Sequence, residues 1–104
     1  MTPIDDDNYA RLLRESPEPV LLVFQATFCG PSALMLPMID ELADDYHEKV
    51  AIFDVDVETC PRLTRAMQVK GTPAMVLLKQ GEPVASRMGT SSYAELSGWL
   101  AKYV

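Results

Sequence analysis

The chain has 104 residues, 48% of them apolar, and a formal net charge of −6 at pH 7. This length and apolar content suit one domain, over residues 1–104, whose core needs no structural metal or disulfide framework. The acidic charge argues against nucleic acid or an anionic membrane surface as a partner, because both attract basic patches. We therefore expect a domain without cofactor or metal that binds neither nucleic acid nor membrane.

The sequence also bears on where the chain resides. It has no apolar run of about 18 residues, the minimum for a transmembrane helix. Residues 1–7 lack the basic and apolar regions of a secretory signal peptide. The two cysteines do not suggest a disulfide scaffold. These features predict a cytoplasmic protein.

The first half of the chain predicts a helix, a strand and a second helix. Residues 5–15 place acids before apolar residues at helical spacing, which is typical of a short amphipathic helix. Residues 20–24 are a continuous apolar run, which predicts a central strand covered on both faces. A second helix is predicted from Pro31 to about His47, with a kink at Pro37. Its predicted apolar stripe comprises Leu34, Leu36, Met38, Ile39, Leu42, Ala43 and Tyr46.

The second half predicts a strand, a short helix, a hairpin and a last helix. In the first of these strands, Phe53 and Asp54 face opposite sides because strand side chains alternate. The predicted order is αβαβαββα, an α/β fold with a mixed sheet and helices on both faces. The predicted elements cover residues 50–57, 60–67, 72–78, 83–88 and 93–103.

One thiol stands where the first strand gives way to the second helix. The segment reads Phe28-Cys29-Gly30-Pro31-Ser32, and Pro31 occupies a position that suits a first helical turn. A thiolate at a helix N-terminus is stabilised by the helix dipole and by unpaired N–H groups, which lowers the cysteine pKa. We therefore predict that Cys29 is a reactive nucleophile and that the Ser32 hydroxyl donates a hydrogen bond to its thiolate.

Several motifs resemble those of the thioredoxin family in the same order and at the same separations. Residues 28–32 resemble its W-C-G-P-C motif, and Pro37 matches the proline of its active-site helix. Residues 71–73 resemble its cis-proline loop, and residues 79–82 resemble its K-x-G-E hairpin. The resemblance runs from about residue 4 to residue 104. It implies the thioredoxin fold and a thiol–disulfide oxidoreductase that acts on protein disulfides, with a thioredoxin reductase or glutathione as electron donor.

The resemblance also implies a docking surface for a substrate peptide around Cys29. Pro73 is expected to be cis and to hold the Thr72 backbone beside Cys29, where an extended peptide would pair with it. The residues expected to bind substrate are Phe28, Gly30, Pro31, Gly71, Thr72, Ala74, Gly89 and Thr90.

Several positions depart from the family pattern, among them Ala33 in place of the basic residue after the motif. The resolving cysteine is Ser32, the buried aspartate is Val23, a tryptophan is Gln25, and a lysine is Asp54. A serine hydroxyl does not attack sulfur usefully near neutral pH, so the chain would stall as a mixed disulfide until an external thiol released it. Ser32 is either a natural divergence or an engineered replacement. We hypothesise that Asp54 is a partly buried acid beneath the active site with a raised pKa; the alternative is a solvated acid at a strand end.

Three functions stay open at this point. The first is a thioredoxin-type oxidoreductase, and the second is a monothiol enzyme or carrier coupled to glutathione. Neutral Gln25, Thr27 and Ala33 offer no basic cluster for glutathione's carboxylates. The third is a redox-inactive binding or chaperone-like module. We interpret Cys60 as a partly buried structural cysteine and Trp99 as a core residue, and we expect a monomer.

Overall fold

A computed structural model describes residues 2–27 and 29–104. The strands are β1 (Thr2–Pro3), β2 (Val20–Gln25), β3 (Ala51–Asp56), β4 (Ala74–Lys79) and β5 (Glu82–Met88). The helices are α1 (Tyr9–Glu15), α2 (Gly30–Asp45), α3 (Pro61–Ala66) and α4 (Tyr93–Ala101). The strands form a five-stranded sheet in the order β1-β3-β2-β4-β5.

The sheet is mixed, and β2 lies at its centre. Strand β2 runs parallel to β3 and antiparallel to β4, so that Val23 pairs with Asp54 on one side and Met75 on the other. Strand β1 is parallel to β3 at one edge, and β5 is antiparallel to β4 at the other. The predicted α/β fold with a mixed sheet is confirmed.

Side chains from β2 enter hydrophobic clusters on both faces of the sheet. Leu22 and Phe24 pack with α1 and α3 residues on one face, whereas Leu21 and Val23 pack with α2 and α4 residues on the other. All four side chains are buried. Continuous apolar sequence is what a strand covered on both faces requires, and that prediction is confirmed. Trp99 is also in the core, as predicted.

The predicted element order omitted β1, and the first helix begins later than predicted. Strand β1 has two residues, too few to show an alternating pattern in the sequence. Helix α1 starts at Tyr9 because Asp5 Oδ1 accepts hydrogen bonds from the backbone N–H groups of Asp7 and Asn8. Such a turn competes with helix formation.

The predicted apolar stripe of α2 was wrong in two of its members. Leu34 is 78% exposed and Leu36 is 36% exposed. The buried face of α2 consists instead of Ser32, Met35, Ile39 and Leu42. These four positions recur every three or four residues, as one helix face requires. Because Ser32 is polar, the apolar pattern of the sequence did not show which residues of α2 face the core.

Helix α3 receives its N-terminal cap from a residue distant in sequence. Asp6 accepts hydrogen bonds from the backbone N–H groups of Arg62 and Leu63, each at 3.0 Å. Burial opposes ionisation of Asp6, but these N–H groups and the Arg62 charge together lower its pKa. Asp6 therefore ties the N-terminal segment to α3 through groups that the helix itself leaves unpaired.

Of the helices in the described ranges, none has the length and apolar character needed to cross a bilayer.

Candidate active site

Cys29 lies at the N-terminus of α2, immediately after the turn that leaves β2. Its backbone N–H donates to the carbonyl of Ala26, and its carbonyl accepts from the N–H of Ala33, each at 3.1 Å. Cys29 is the N-cap residue and Pro31 lies in the first turn, where a missing N–H costs no helical hydrogen bond. The sequence prediction for the start of this helix is correct to within one residue.

The loop before β4 lies against the thiol. Cys29 Sγ is 3.6 Å from the carbonyl oxygen of Thr72, to which the thiol donates. The Thr72–Pro73 peptide bond is cis, and the carbonyl of Pro73 accepts from the N–H of Gly89 at 2.8 Å. The structure therefore brings together Cys29, the 72–73 segment and the end of β5.

Ser32 is the only polar side chain buried in the described part of the chain. Its side chain is 3% exposed, and its hydroxyl has no hydrogen-bond partner among residues 2–27 and 29–104. Hydrogen bonding from this hydroxyl is the main cause that lowers the pKa of Cys29; the Thr72 side chain and the Ser32 N–H add to it, and burial opposes it. The hydroxyl is thus unpaired beside the thiol and available to the thiolate.

Asp54 lies in the carboxyl half of β3 and is partly buried, with Gln25 of β2 donating a side-chain hydrogen bond to it. Burial raises the pKa of Asp54, while the Gln25 hydrogen bond opposes the rise and the charge of Asp56 adds to it. The neighbouring position on β2 is Val23, which is 3% exposed. The site thus has a carboxyl on β3 and an apolar residue beside it on β2.

The predicted docking residues are not all surface residues. Gly71 and Thr72 are partly exposed, and Gly89 and Thr90 are exposed, as are Gly30 and Pro31. Ala74 is only 4% exposed and packs in the core, so its side chain is no part of a docking rim. Its position on β4, between β2 and β5, explains the burial. Phe28 lies outside the described residues.

Sequence reasoning missed an apolar residue beside the 71–73 segment. Met88 at the end of β5 is 63% exposed, and its sulfur lies 3.5 Å from where a side chain on Gly71 would begin. Hydrophobic residues in strands are usually assigned to the core, so the exposure of Met88 was not predicted. An edge strand with one solvated face could have suggested it.

Cys60 is far more buried than predicted. It is fully buried in the cluster on the α3 face of the sheet, where its thiol donates to the carbonyl of Ile4 at 3.2 Å. Burial raises the pKa of this thiol. Cys29 and Cys60 are both free thiols, with opposite pKa shifts. Only Cys29 combines partial exposure with a stabilised thiolate.

The described part of the chain contains no cluster of three or more histidine, cysteine or acidic residues suited to a metal ion. His47 is exposed near the end of α2 and pairs weakly with Glu48.

Comparison with known proteins agrees with this fold. The sequence profile of the family described as Thioredoxin matches residues 1–102, and the chain belongs to the thioredoxin family. A thioredoxin of Mycolicibacterium smegmatis is 37% identical over 95 residues, which cover 89% of this chain and 85% of the relative. A thioredoxin-like protein of Synechocystis is 33% identical over 97 residues, which cover 93% of this chain and 92% of the relative.

The name of a third relative combines a reductase and a thioredoxin. The bifunctional thioredoxin reductase/thioredoxin of Mycobacterium leprae is 32% identical over 93 residues, which cover 89% of this chain and 20% of that protein. Family membership supports thiol–disulfide oxidoreductase activity at a general level.

Proposed function

We propose that this chain attacks protein disulfides through Cys29 and stops at a mixed disulfide, because Ser32 stands where a resolving thiol would be needed. One observation carries the proposal: Cys29 begins α2 with its thiol 3.6 Å from the Thr72 carbonyl, and the buried Ser32 hydroxyl in the first turn has no other partner in the described ranges. Hydrogen bonding from that hydroxyl lowers the pKa of Cys29. A lower pKa increases the fraction of thiolate, which is the form that attacks disulfides.

The first step is a thiol–disulfide exchange. The Cys29 thiolate forms a new S–S bond to one substrate sulfur, the substrate S–S bond breaks, and the other sulfur leaves as a thiolate with the electron pair. Solvent protonates the leaving thiolate. We propose that the substrate peptide lies along the Thr72 backbone, because the Cys29 thiol already contacts that carbonyl.

The second step requires an external thiol. A thiolate such as that of glutathione attacks the substrate sulfur of the mixed disulfide. Its bond to Cys29 breaks, Cys29 leaves as the thiolate with the electron pair, and the substrate sulfur remains in a new disulfide with glutathione. A thioredoxin reductase, which the name of the M. leprae relative couples to a thioredoxin, is the alternative electron donor. Asp54 is the proposed proton acceptor for the incoming thiol, since its carboxyl is partly buried near the start of α2. The cytoplasm would keep both thiols reduced.

Intact mass spectrometry tests the first step directly. The chain is incubated with bis(2-hydroxyethyl) disulfide, and Cys29→Ala and Cys60→Ala are matched variants that each remove one thiol. We expect one mercaptoethanol adduct on the original chain and on Cys60→Ala, none on Cys29→Ala, and release of the adduct by glutathione. Absence of an adduct on Cys29 would contradict the proposal.

A binding module without redox turnover is the second candidate function. Leu34 and Met88, at 78% and 63% exposure, are large apolar side chains in contact with solvent and favour such a role. Binding of an unfolded client that is unchanged in Cys29→Ala would support this function over the first.

A further inference from the structure

The sulfur of Cys29 has one side that faces the protein interior. Ser32 lies on that side, in the first turn of α2, and its side chain is 3% exposed. The carbonyl oxygen of Thr72 also lies against the sulfur, 3.6 Å from it. Cys29 itself is partly exposed, so a reactant in solvent reaches the sulfur from the side away from these two groups.

The Ser32 hydroxyl on this inner side is not engaged elsewhere. It makes no hydrogen bond within residues 2–27 and 29–104, although it is placed to donate to a Cys29 thiolate. A buried hydroxyl of this kind donates as soon as negative charge develops on the neighbouring sulfur. The hydrogen bond is therefore made while Cys29 leaves a disulfide as a thiolate and is absent from the disulfide itself. An interaction of that kind accelerates the step in which the charge develops.

The buried side of the sulfur also determines which sulfur of a mixed disulfide can be attacked. In thiol–disulfide exchange the attacked sulfur lies between the incoming and the leaving sulfur, roughly in line with both. When Cys29 holds a captured sulfur on the solvent side, attack on Cys29 must come from the inner side. The Ser32 oxygen lies there and does not attack sulfur near neutral pH. The captured sulfur, in contrast, is open to attack from solvent.

The chain holds no second thiol that could attack from within. Its other cysteine, Cys60, is fully buried in the cluster on the α3 face of the sheet. The Cys60 thiol donates to the carbonyl of Ile4 at 3.2 Å. The captured sulfur is therefore released only by a thiol that arrives from solvent.

We propose that the chain catalyses protein S-thiolation: a low-molecular-weight thiol attacks the captured protein sulfur, and Ser32 is the catalytic residue that assists the departure of Cys29. The inference deepens the proposed function and rests on it. It assigns the product as a protein that carries the small thiol in a mixed disulfide, in place of a reduced protein.

Atoms and electrons balance without a further reactant. In the first exchange a protein sulfur bonds to Cys29, the protein disulfide breaks, and the other protein sulfur leaves with the electron pair and takes a proton from solvent. In the second, the small thiolate bonds to the captured sulfur and Cys29 leaves as a thiolate that accepts the Ser32 hydrogen bond. One protein disulfide and one small thiol become one mixed disulfide and one protein thiol, so no net reduction takes place.

The test starts from the Cys29 mixed disulfide with a peptide that contains a single cysteine. Mercaptoethanol is the probe because it is neutral, whereas carboxylates such as Asp54 would act on a charged thiol. The reaction is stopped with acid at early times, and the products are identified by mass. Attack on the captured sulfur gives the free chain and the peptide–mercaptoethanol disulfide, whereas attack on Cys29 gives the chain–mercaptoethanol disulfide and the free peptide.

We expect the first pair of products to make up at least about nine-tenths of the total. The disulfide of the same peptide with glutathione has no buried side and is the reference. Both of its sulfurs are open to attack, so both kinds of product should form in comparable amounts.

Two serine variants test the role of the hydroxyl. Ser32→Ala removes the buried hydroxyl, and Ser86→Ala removes an exposed one. Release of the peptide–mercaptoethanol disulfide should slow by about fivefold in Ser32→Ala and stay unchanged in Ser86→Ala, because only the first loses a donor to the leaving sulfur. Expressed per mercaptoethanol thiolate, this slowing should be the same at neutral and alkaline pH, since Cys29 has no proton to titrate while it is in the disulfide.

The outcomes separate the inference from the proposed function. If no peptide adduct forms on Cys29, the proposed function fails and the inference fails with it. If the adduct forms but the two product pairs appear in the proportion given by the peptide–glutathione disulfide, the proposed function stands and directed S-thiolation is refuted. Equal release rates for the original chain and Ser32→Ala would overturn the catalytic role of Ser32.

Discussion

The Ser32 hydroxyl is buried beside the Cys29 thiol and lowers its pKa, although it has no hydrogen-bond partner within residues 2–27 and 29–104. A buried hydroxyl that makes no hydrogen bond destabilises the folded protein. It gains a partner when a neighbouring group becomes an acceptor. The thiolate of Cys29 is the group that can use it. Ser32 therefore stabilises the Cys29 thiolate, but its hydroxyl cannot attack a mixed disulfide and complete the reaction cycle.

Replacing Ser32 by alanine should make Cys29 less reactive at neutral pH. Without the hydroxyl the pKa of Cys29 rises toward its ordinary value, so iodoacetamide alkylation at pH 7 should slow by about fivefold while the limiting rate at high pH is retained. The pH profile of alkylation measures this shift. Ser86→Ala, at an exposed position, is the matched control; an unshifted profile in Ser32→Ala would show that the hydroxyl does not stabilise the thiolate.

Asp54→Asn should stabilise the fold, and increasingly so as pH rises. Because burial raises the pKa of Asp54 above its ordinary value of 3.8, folding favours the protonated form. The stability that protonation contributes is complete below that value and is lost as pH rises through the higher pKa of the folded state. Asparagine avoids this loss, so its urea midpoint should exceed that of the original chain at pH 7 and match it near pH 3.5.

The control for this measurement is Asp44→Asn, which removes a charge from an exposed position. Its urea midpoint should change little with pH relative to the original chain. A midpoint difference for Asp54→Asn that is the same at both pH values would mean that Asp54 titrates alike in the folded and unfolded chain.

Asp6→Ala should destabilise the protein through the loss of the α3 cap. The pKa of Asp6 is lowered in the folded state, so its contribution is present above the ordinary carboxyl pKa and is lost as pH falls through the lower folded value. We expect the melting temperature at pH 7 to drop by about 5 °C, and the difference to shrink in acid. Asp7→Ala, whose side chain is 96% exposed, should change the melting temperature little; equal effects would contradict the capping role.

Cys60→Ala should affect stability and not reactivity. The Cys60 side chain is fully buried and its thiol bonds to Ile4, so truncation should lower the free energy of unfolding by about 1 kcal/mol. Urea unfolding measures that loss. The rate of Cys29 adduct formation should stay the same, and a slower rate would give Cys60 a redox role that its burial argues against.

Much of the fold could be predicted from the sequence because β2 and β4 are nearly continuous apolar runs, and turn residues separate the elements. The order of β2 to β5 and α1 to α4 follows from the sequence pattern, and most of their bounds are predicted to within two residues; the start of α1 was predicted four residues too early. Strand β1 could not be predicted, because two residues show no periodicity and its place depends on pairing with β3. The capping of α3 by Asp6 could not be predicted either, because Arg62 and Leu63 lie 56 and 57 residues further along the chain and local sequence patterns do not show such contacts.

The site was less predictable than the fold. The position of Cys29 at a helix N-terminus followed from its sequence neighbours, and the placement of Asp54 on the face opposite Phe53 followed from strand alternation. The burial of Ser32 did not, since serine is usually exposed and its place on the inner face of α2 depends on helix phase. The exposure of Leu34 follows from the same phase.

Disulfide turnover by the original chain and by Ser32→Cys shows whether Ser32 is what halts the reaction at a mixed disulfide. Insulin reduction driven by dithiothreitol is followed in parallel with intact mass, so that turnover and adducts are seen together. We expect Ser32→Cys to turn over insulin, and the original chain to be slow and to accumulate a Cys29 mixed disulfide. Equal turnover by both chains would contradict the account, because serine at position 32 would then not be what halts the reaction. Absence of both turnover and adducts in either chain would contradict it as well, because Cys29 would then not be a working nucleophile.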